Sequence, residues 1–512
     1  MRRALAGLVV LLAAWPVAGF AHGFAVRYDL PLPLGFFLAG AGAVVVLSFA
    51  LLSMFSGHAA AGADHRPAQR DSPLLGRILS SDRVILTLRL GAVGLYVLVV
   101  ACALFGSENP YKNFSTTFVW VIWWVGMMLV NTLVGDLWAL VNPWGAAFAF
   151  AERILRSLIP GARLSLTRPF PARLGVWPAV VLFLAFAWLE LIWGEGEDPR
   201  KLAFVVIAYS LVTWSAMFVF GRSVWLAHGE AFAVVFTVFA RFAPVAFRVA
   251  GLGGVAFCPH GVEVADGKCT GCAACFEASP PAGRAIVLRL PGAGLLARAP
   301  VSTSMTALIL VLLASVTFDG LFATPLWTGM YEFLIAFSAR APWLPEAWKF
   351  HVIATLALLL LPVVFAAAFL VCCRASAAID GEAAATMVAR QFVLTLLPIA
   401  IAYHFAHYLL YLLLTGQYII PALSDPFGFG WNLFGTAAFQ PDIGLVGAKF
   451  SWYTGVVAIV VGHVIAVYLA HRTAQRIFHN RKRILASQLP MLVLMVAYTM
   501  ISLWIIAQPA VR

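Results

Sequence analysis

The sequence predicts an all-α membrane protein: a polytopic helical bundle of about ten transmembrane helices after an N-terminal signal peptide, with one cysteine-rich cytoplasmic loop. Three observations carry this. The 512 residues are 62% hydrophobic and 11% charged, whereas soluble domains run about 45–50% apolar and about 25% charged. Apolar runs long enough to cross about 30 Å of hydrocarbon at 1.5 Å per residue recur along the whole chain. The basic residues behind the net charge of +12 fall in alternate loops rather than on one domain, which is the positive-inside pattern. The charge therefore reads as topology, and nucleic acid is excluded as a partner.

The chain opens MRRALAGLVVLLAAWPVAGFAHG, with Arg2 and Arg3 before an apolar core and small residues at Gly19 and Ala21. This is the layout of a secretory signal peptide over residues 1–21. Cleavage after Ala21 leaves His22 as an external mature N-terminus; an uncleaved signal anchor is the alternative. Spans are expected near 33–55, 91–106, 117–141, 174–194 and 202–220, making a first set within 22–220. A second set within 301–512 is expected near 301–319, 351–373, 391–415, 453–470 and 489–508.

The loops support this order. Residues 56–90 carry Arg66, Arg70, Arg77, Arg83 and Arg89, and residues 142–173 carry Arg153, Arg156, Arg163, Arg168 and Arg173. Arg472, Arg476, Arg481, Lys482 and Arg483 crowd the last inner loop, while ENPYKNF and GEGEDPRK opposite are short and hardly basic. The expectation is a multi-pass protein of the bacterial inner membrane, with its mature N-terminus outside and the segment 221–300 in the cytoplasm. Within that segment, EAFAVVFTVFARFAP reads as an amphipathic helix lying along the membrane surface. No internal repeat, broken helix or flexible linker is evident.

Of seven cysteines, Cys102, Cys372 and Cys373 fall in or beside spans, where a thiol behaves as a small hydrophobe. Cys269, Cys272 and Cys275 form C-x2-C-x2-C in GKCTGCAACFEASP, within a cytoplasmic loop where stable disulfides are disfavoured. Metal binding is the reading that follows. The loop resembles one half of a bacterial-type ferredoxin, whose pattern continues x3-C-P. Here Ser279 stands at the fourth position, followed by the expected Pro280, and Cys258, eleven residues before Cys269 and itself followed by Pro259, offers a replacement. A [4Fe-4S] cluster on Cys258, Cys269, Cys272 and Cys275 leads. Structural zinc on the same thiolates is the alternative, and whether Cys258 or Ser279 completes the set stays open.

Ionisable groups at bilayer depth are costly and mark function. In IAYHFAHYLLYLL, His404 and His407 lie three residues apart and so share a helix face. His463, in VGHVIAVYLAH on the following span, is expected at the same depth, so the three imidazoles together would suit a transition metal or haem iron. Tyr403 and Tyr408 stand beside them. Asp319 in VTFDGLFATPLW and Glu190 in WLELIWGEGED are the candidate catalytic carboxylates, with Asp136 and Asn131 expected to cap or link helices.

AHG, YDLPLPLGFFLAGAGAVVVLSFALL, GDLWALVNPW, TFDGLFATPLW, AYHFAHYLLYLLLTGQ, GHVIAVYLAHRTA and QLPMLVLMVAYTMISLW occur in that order over nearly the whole chain. Together they resemble the bacterial membrane proteins called fenitrothion hydrolase. The resemblance implies hydrolysis of the P–O–aryl bond of an organophosphorus triester, a hydrophobic small molecule that would enter from the lipid. In that frame the histidines hold a metal and Asp319 or Glu190 takes the proton of the attacking water. The cysteine loop motivates an alternative, a membrane redox protein passing electrons from the cytoplasmic cluster, and a redox partner, to a haem or metal at the same histidines. A transporter relaying protons is a third reading.

Overall fold

The computed structural model describes residues 32–55, 69–250, 263–265, 268–296, 299–338, 345–478 and 481–508; the expected signal peptide, His22 and Cys258 lie outside them. In chain order the elements are α1 (Leu34–Phe55), β1 (Arg70–Asp71), α2 (Pro73–Leu79), α3 (Asp82–Phe105), α4 (Phe114–Leu133), α5 (Leu137–Val141), α6 (Pro143–Leu158), α7 (Trp177–Leu191) and α8 (Pro199–Phe220). Then come α9 (Arg222–His228), α10 (Ala231–Ala240), β2 (Val245–Ala250), β3 (Glu263–Ala265), β4 (Lys268–Thr270), α11 (Ala273–Ala278) and β5 (Arg284–Leu288). The second half holds α12 (Thr303–Phe322), α13 (Pro325–Ser338), α14 (Glu346–Asp380), α15 (Ala385–Phe392), α16 (Leu397–Leu414), α17 (Ile419–Ser424), α18 (Ala448–Ile477) and α19 (Arg481–Ala507).

Among the described residues, nine helices are long and apolar enough to cross a membrane, α15 to α17 counting as one, and α7 is a shorter apolar helix of 15 residues. The protein is thus a multi-pass helical membrane bundle. α12 forms its axis: Ser304 to Phe322 are buried almost without interruption, enclosed by α7, α14, α16 and α19. A helix apolar all round is stable only where every face meets protein or lipid. α18 lies along α16 at close range because Gly462 has no side chain; a Cβ there would stand 2.4 Å from that of Ala402 and 2.7 Å from the Pro398 carbonyl oxygen.

Three features depart from the sequence expectation. The span expected over 117–141 stops at Leu133, since Asn131 and Asp136 draw the chain into a turn. Asn131 accepts the Trp138 amide at 3.1 Å, and Asp136 accepts the Ala139 amide at 3.2 Å and the Thr237 hydroxyl at 2.9 Å. Both residues therefore cap or link helices, as their types suggest.

α10 is not a surface helix. Phe232, Val235, Phe236 and Phe239 are buried with nearly all of its other residues, against α4 and α7. The segment AFAVVFTVFA leaves no polar face for water or lipid headgroups to solvate. α9 and α10 together make one broken span or re-entrant loop, bent by 65°, so the chain does contain a broken helix. Glu230 makes the break possible. Fully buried, it caps α10 by accepting the amides of Phe232 and Ala233 at 3.0 and 2.8 Å, and it also accepts from the Tyr209 hydroxyl at 2.5 Å and from Asn142 at 2.9 Å.

The cysteine segment carries a small sheet that the sequence did not announce. Its five strands, all antiparallel, run β1-β5-β2-β4-β3. Phe247 and Val249 of β2 and Ile286 of β5 turn onto Ile85 of α3 and Leu140 of α5, so the sheet is seated on one end of the bundle. Two polar clamps hold it. Glu277 of α11 pairs with Arg89 of α3 and, at 2.8 Å, with Arg222 of α9. Arg284 donates to the Phe276 and Ser279 carbonyls at 2.8 and 2.9 Å and to Asp82 at 2.7 Å.

Candidate functional site: an intramembrane acid–base cluster and a thiol group

Asp319 lies near the end of α12 that points away from the sheet and is 7% exposed. One of its carboxylate oxygens, Oδ2, accepts from His407 Nε2 at 2.9 Å and from the Tyr408 hydroxyl at 2.5 Å. Consecutive residues reach the same oxygen because α16 crosses α12 there, and the Tyr403 ring stacks on His407 at 6.1 Å and 14° from the turn before. A charge-assisted bond of this kind holds imidazole and carboxylate in fixed register.

Glu190, one residue from the end of α7, faces the same region, close enough for its charge and that of Asp319 to oppose each other. With Trp124, Ser315, His404 and Tyr408 it lines an internal cavity of about 20 Å³. That is room for a water molecule, which needs roughly 10–15 Å³. The His404 ring lies 4.5 Å from that of Tyr408 and meets the edge of Trp124 at 5.9 Å. Its Nε2 is buried and finds no hydrogen-bond partner among the described residues.

Trp124 is a residue that sequence reasoning missed. It sits in Phe118–Gly126, a stretch of α4 wound as a π-helix, which turns Trp123 and Trp124 into the bundle. π-wound turns concentrate at functional sites. The available signal was the pairing of two tryptophans with β-branched neighbours in FVWVIWWVG, which does not by itself reveal the winding.

Four of the expected site residues thus come together from three helices: Asp319, Glu190, His404 and His407. His463 is placed elsewhere. Its Nδ1 donates to the Ile459 carbonyl at 2.8 Å, and its ring packs against Tyr498 at 6.0 Å. Among the described residues the three histidines do not form a group of close metal-ligand atoms.

The cysteines do. Cys269, Cys272 and Cys275 are each at most 3% exposed, and their sulfur atoms all lie within 4.8 Å of one another. β4 supplies the first, the turn before α11 the second and α11 itself the third. The Cys275 amide donates to the Cys272 sulfur at 3.2 Å. The Cys269 side chain chiefly, with help from Cys275, pulls the Cys272 thiol down to about 6 against the upward push of burial, which favours the thiolate a metal requires.

The donor set fits a metal. A single tetrahedral ion with sulfurs at ~2.3 Å separates them by ~3.8 Å, inside the observed limit, whereas a four-iron cube puts each cysteine on a different iron and spreads the sulfurs further. Cys258 lies outside the described residues. Ser279 ends α11, where its amide donates to the Cys275 carbonyl at 3.1 Å and its own carbonyl accepts from Arg284.

Comparison of the chain with family models, with curated proteins and with solved structures returns no match.

Proposed function

We propose that this chain is a membrane-embedded hydrolase of hydrophobic esters, organophosphorus aryl triesters being the class that the resemblance to fenitrothion hydrolase implies. The observation that carries the reading is the hydrogen bond between His407 and Asp319, inside the bundle and next to a water-sized cavity that Glu190, His404 and the Asp319-bonded Tyr408 line. In the reaction water attacks phosphorus, a new P–O bond forms, the P–O–aryl bond breaks, and the aryl oxide leaves. Asp319 and His407 accept the proton of the attacking water. Glu190, which lines the cavity, protonates the leaving oxygen and is recharged by the acidic phosphodiester product. An apolar substrate reaches such a site by partitioning into the bilayer.

The test is nitrophenol release from an aryl phosphotriester by membranes carrying the chain, beside membranes carrying His404→Ala, His407→Ala at equal abundance. Release that disappears in the double variant supports the reading; equal release from both refutes the assignment. Loop charge supports a cytoplasmic position for the sheet, and the bacterial inner membrane is what the resemblance implies. Protease protection of the sheet in right-side-out vesicles checks the orientation.

The cysteine group bears on a second reading, which needs an electron-carrying metal on those thiolates. A thiolate-bound metal beneath the bundle suits a redox protein, with electrons entering through a cytoplasmic cluster. The close sulfur spacing favours a single ion such as zinc over the [4Fe-4S] cluster that the motif resembles. Metal and sulfide analysis of anaerobically purified protein, with low-temperature EPR after dithionite, separates them. One zinc per chain and a silent spectrum would end the redox reading.

A further inference from the structure

Behind Asp319, toward α18 and α19, lies a second set of buried polar groups. His463, Tyr403 and Ser502 are each 1% exposed and Tyr498 is 7% exposed. The carbonyl of Ile459 can only accept, so its bond to His463 fixes the proton on Nδ1 and leaves Nε2 an acceptor. That atom, like the Tyr403 hydroxyl, has no hydrogen-bond partner among the described residues.

Both unmatched groups lie against α19, Tyr403 beside Ile505 and His463 beside Tyr498. A side chain at Gly320 would meet the Tyr403 hydroxyl at 2.2 Å and Ile505 at 2.8 Å, so the hydroxyl projects past α12 toward the turn of α19 that carries Ser502. Tyr498, one turn earlier on α19, bonds Thr317 of α12 at 2.6 Å and packs against His463. On its other side the Tyr403 ring stacks on His407.

Burying a donor and an acceptor unmatched in an apolar bundle costs free energy unless water satisfies both. One water molecule could accept from Tyr403 and donate to His463, with Tyr498 and Ser502 as further partners. The proposed hydrolysis also creates a need for such a route. Water and triester give a phosphodiester acid and a phenol, so a proton is released in each turnover inside a site walled by apolar helices.

We infer that Tyr403, His463, Tyr498 and Ser502 hold bound water that relays the proton from the Asp319–His407 pair to His463 Nε2. His463 becomes imidazolium and returns the proton to solvent before the next turnover. It is a positioning and relay residue, not a ligand to a metal. The relay rests on the hydrolase reading; the bound water does not.

Two measurements test it on the full chain in membranes. For His463→Ala, which leaves room for an imidazole, nitrophenolate release is expected to show kcat lowered about ten-fold or more with KM within about two-fold, a larger solvent deuterium isotope effect, and recovery when imidazole is added. Loss of kcat without imidazole recovery or a changed isotope effect would mean a structural role and overturns the relay, as does an unchanged kcat.

The second measurement needs no hydrolysis: deuterium exchange at the histidine C2 position, read by mass spectrometry. His463 is expected to exchange with a sigmoidal pH dependence and to slow several-fold in Tyr403→Phe. A His463 that does not exchange in the native chain is dry, and the inference fails whatever the membranes hydrolyse. Exchange without any triester hydrolysis sinks the hydrolase reading and still supports the water site.

Discussion

Replacing Glu277 by Gln should loosen the sheet from the bundle without disturbing the spans. The Glu277 carboxylate receives Arg89 from α3 and Arg222 from α9, and the three side chains are only 17–21% exposed. A hydrogen bond to a charged group contributes about 1.5–3 kcal/mol and a neutral one about 1. An amide of the same shape keeps one acceptor and turns its NH2 toward a guanidinium, so two strong bonds become at best one ordinary bond. Solvent at the edge of the cluster screens part of the charge, and the lower bound applies, a net loss of about 2 kcal/mol. At 1.36 kcal/mol per decade this is about a 30-fold rise in local opening. The assay is backbone hydrogen exchange in detergent, comparing amides of α11 and β5 with those of α12. A rise below about 3-fold in the sheet, or an equal rise in α12, would refute the claim that this ion pair pins the sheet.

Three further outcomes follow from the geometry. Burial pushes the Glu277 carboxyl up, but Arg222 and Arg89 outweigh it and hold it below the usual glutamate range. A depressed folded value gives stability that is present above the unfolded pKa and lost as pH falls through the folded one. Exchange protection of β5 should therefore be level from neutral pH to about pH 5 and fall below it, and be nearly flat in Glu277→Gln. Asp319→Asn keeps the shape but cannot accept the proton, so nitrophenol release should drop about 10²- to 10⁴-fold in kcat with KM little changed; a loss confined to KM would speak against a catalytic role. Gly462→Ala forces α16 and α18 apart and should destabilise the detergent-solubilised protein by about 1–3 kcal/mol, read as a lowered midpoint in chemical denaturation.

Much of the bundle is legible in the sequence because a lipid-facing stretch must be apolar, so expected span and helix coincide in α1, while α3 and α14 extend beyond their apolar stretches at charged ends, from Asp82 and to Asp380. Legibility ends where one residue decides. Asn131 and Asp136 end α4 early through individual hydrogen bonds; their types suggest caps, but the average hydropathy of 117–141 still reads as one span. α10 has the apolar content of an ordinary span but half the length, and only the buried partners of Glu230 explain why it enters the bundle. The strands are two to six residues long, too short for alternation to stand out. For the site, helical spacing put His404 and His407 on one face, and TFDG put Asp319 near a helix end. The partner of each face is a matter of packing between helices, which is why His407 meets Asp319 and His463 meets Tyr498.

The two chemical centres are joined by one short helix. Phe239 of α10 lines the cavity that holds Glu190 and His404. Thr237 of the same helix and Arg241, the residue that follows it, line another cavity, about 100 Å³, whose wall includes Cys272 and Glu277. Both ends of α10 are fastened, the start by Glu230 and the end by Arg289, which donates to the carbonyls of Ala240 and Ala243 at 2.9 and 3.0 Å. A buried helix of ten residues held at both ends is stiff, so displacement of the cysteine turn is expected to be felt at Phe239. Removing a metal from Cys269, Cys272 and Cys275 with a strong chelator should therefore lower nitrophenol release while leaving the spans folded by circular dichroism. Readdition of the same metal should restore it. If stripping the metal leaves release unaltered, α10 transmits nothing, and the cysteine group is a separate module that shares only the membrane body.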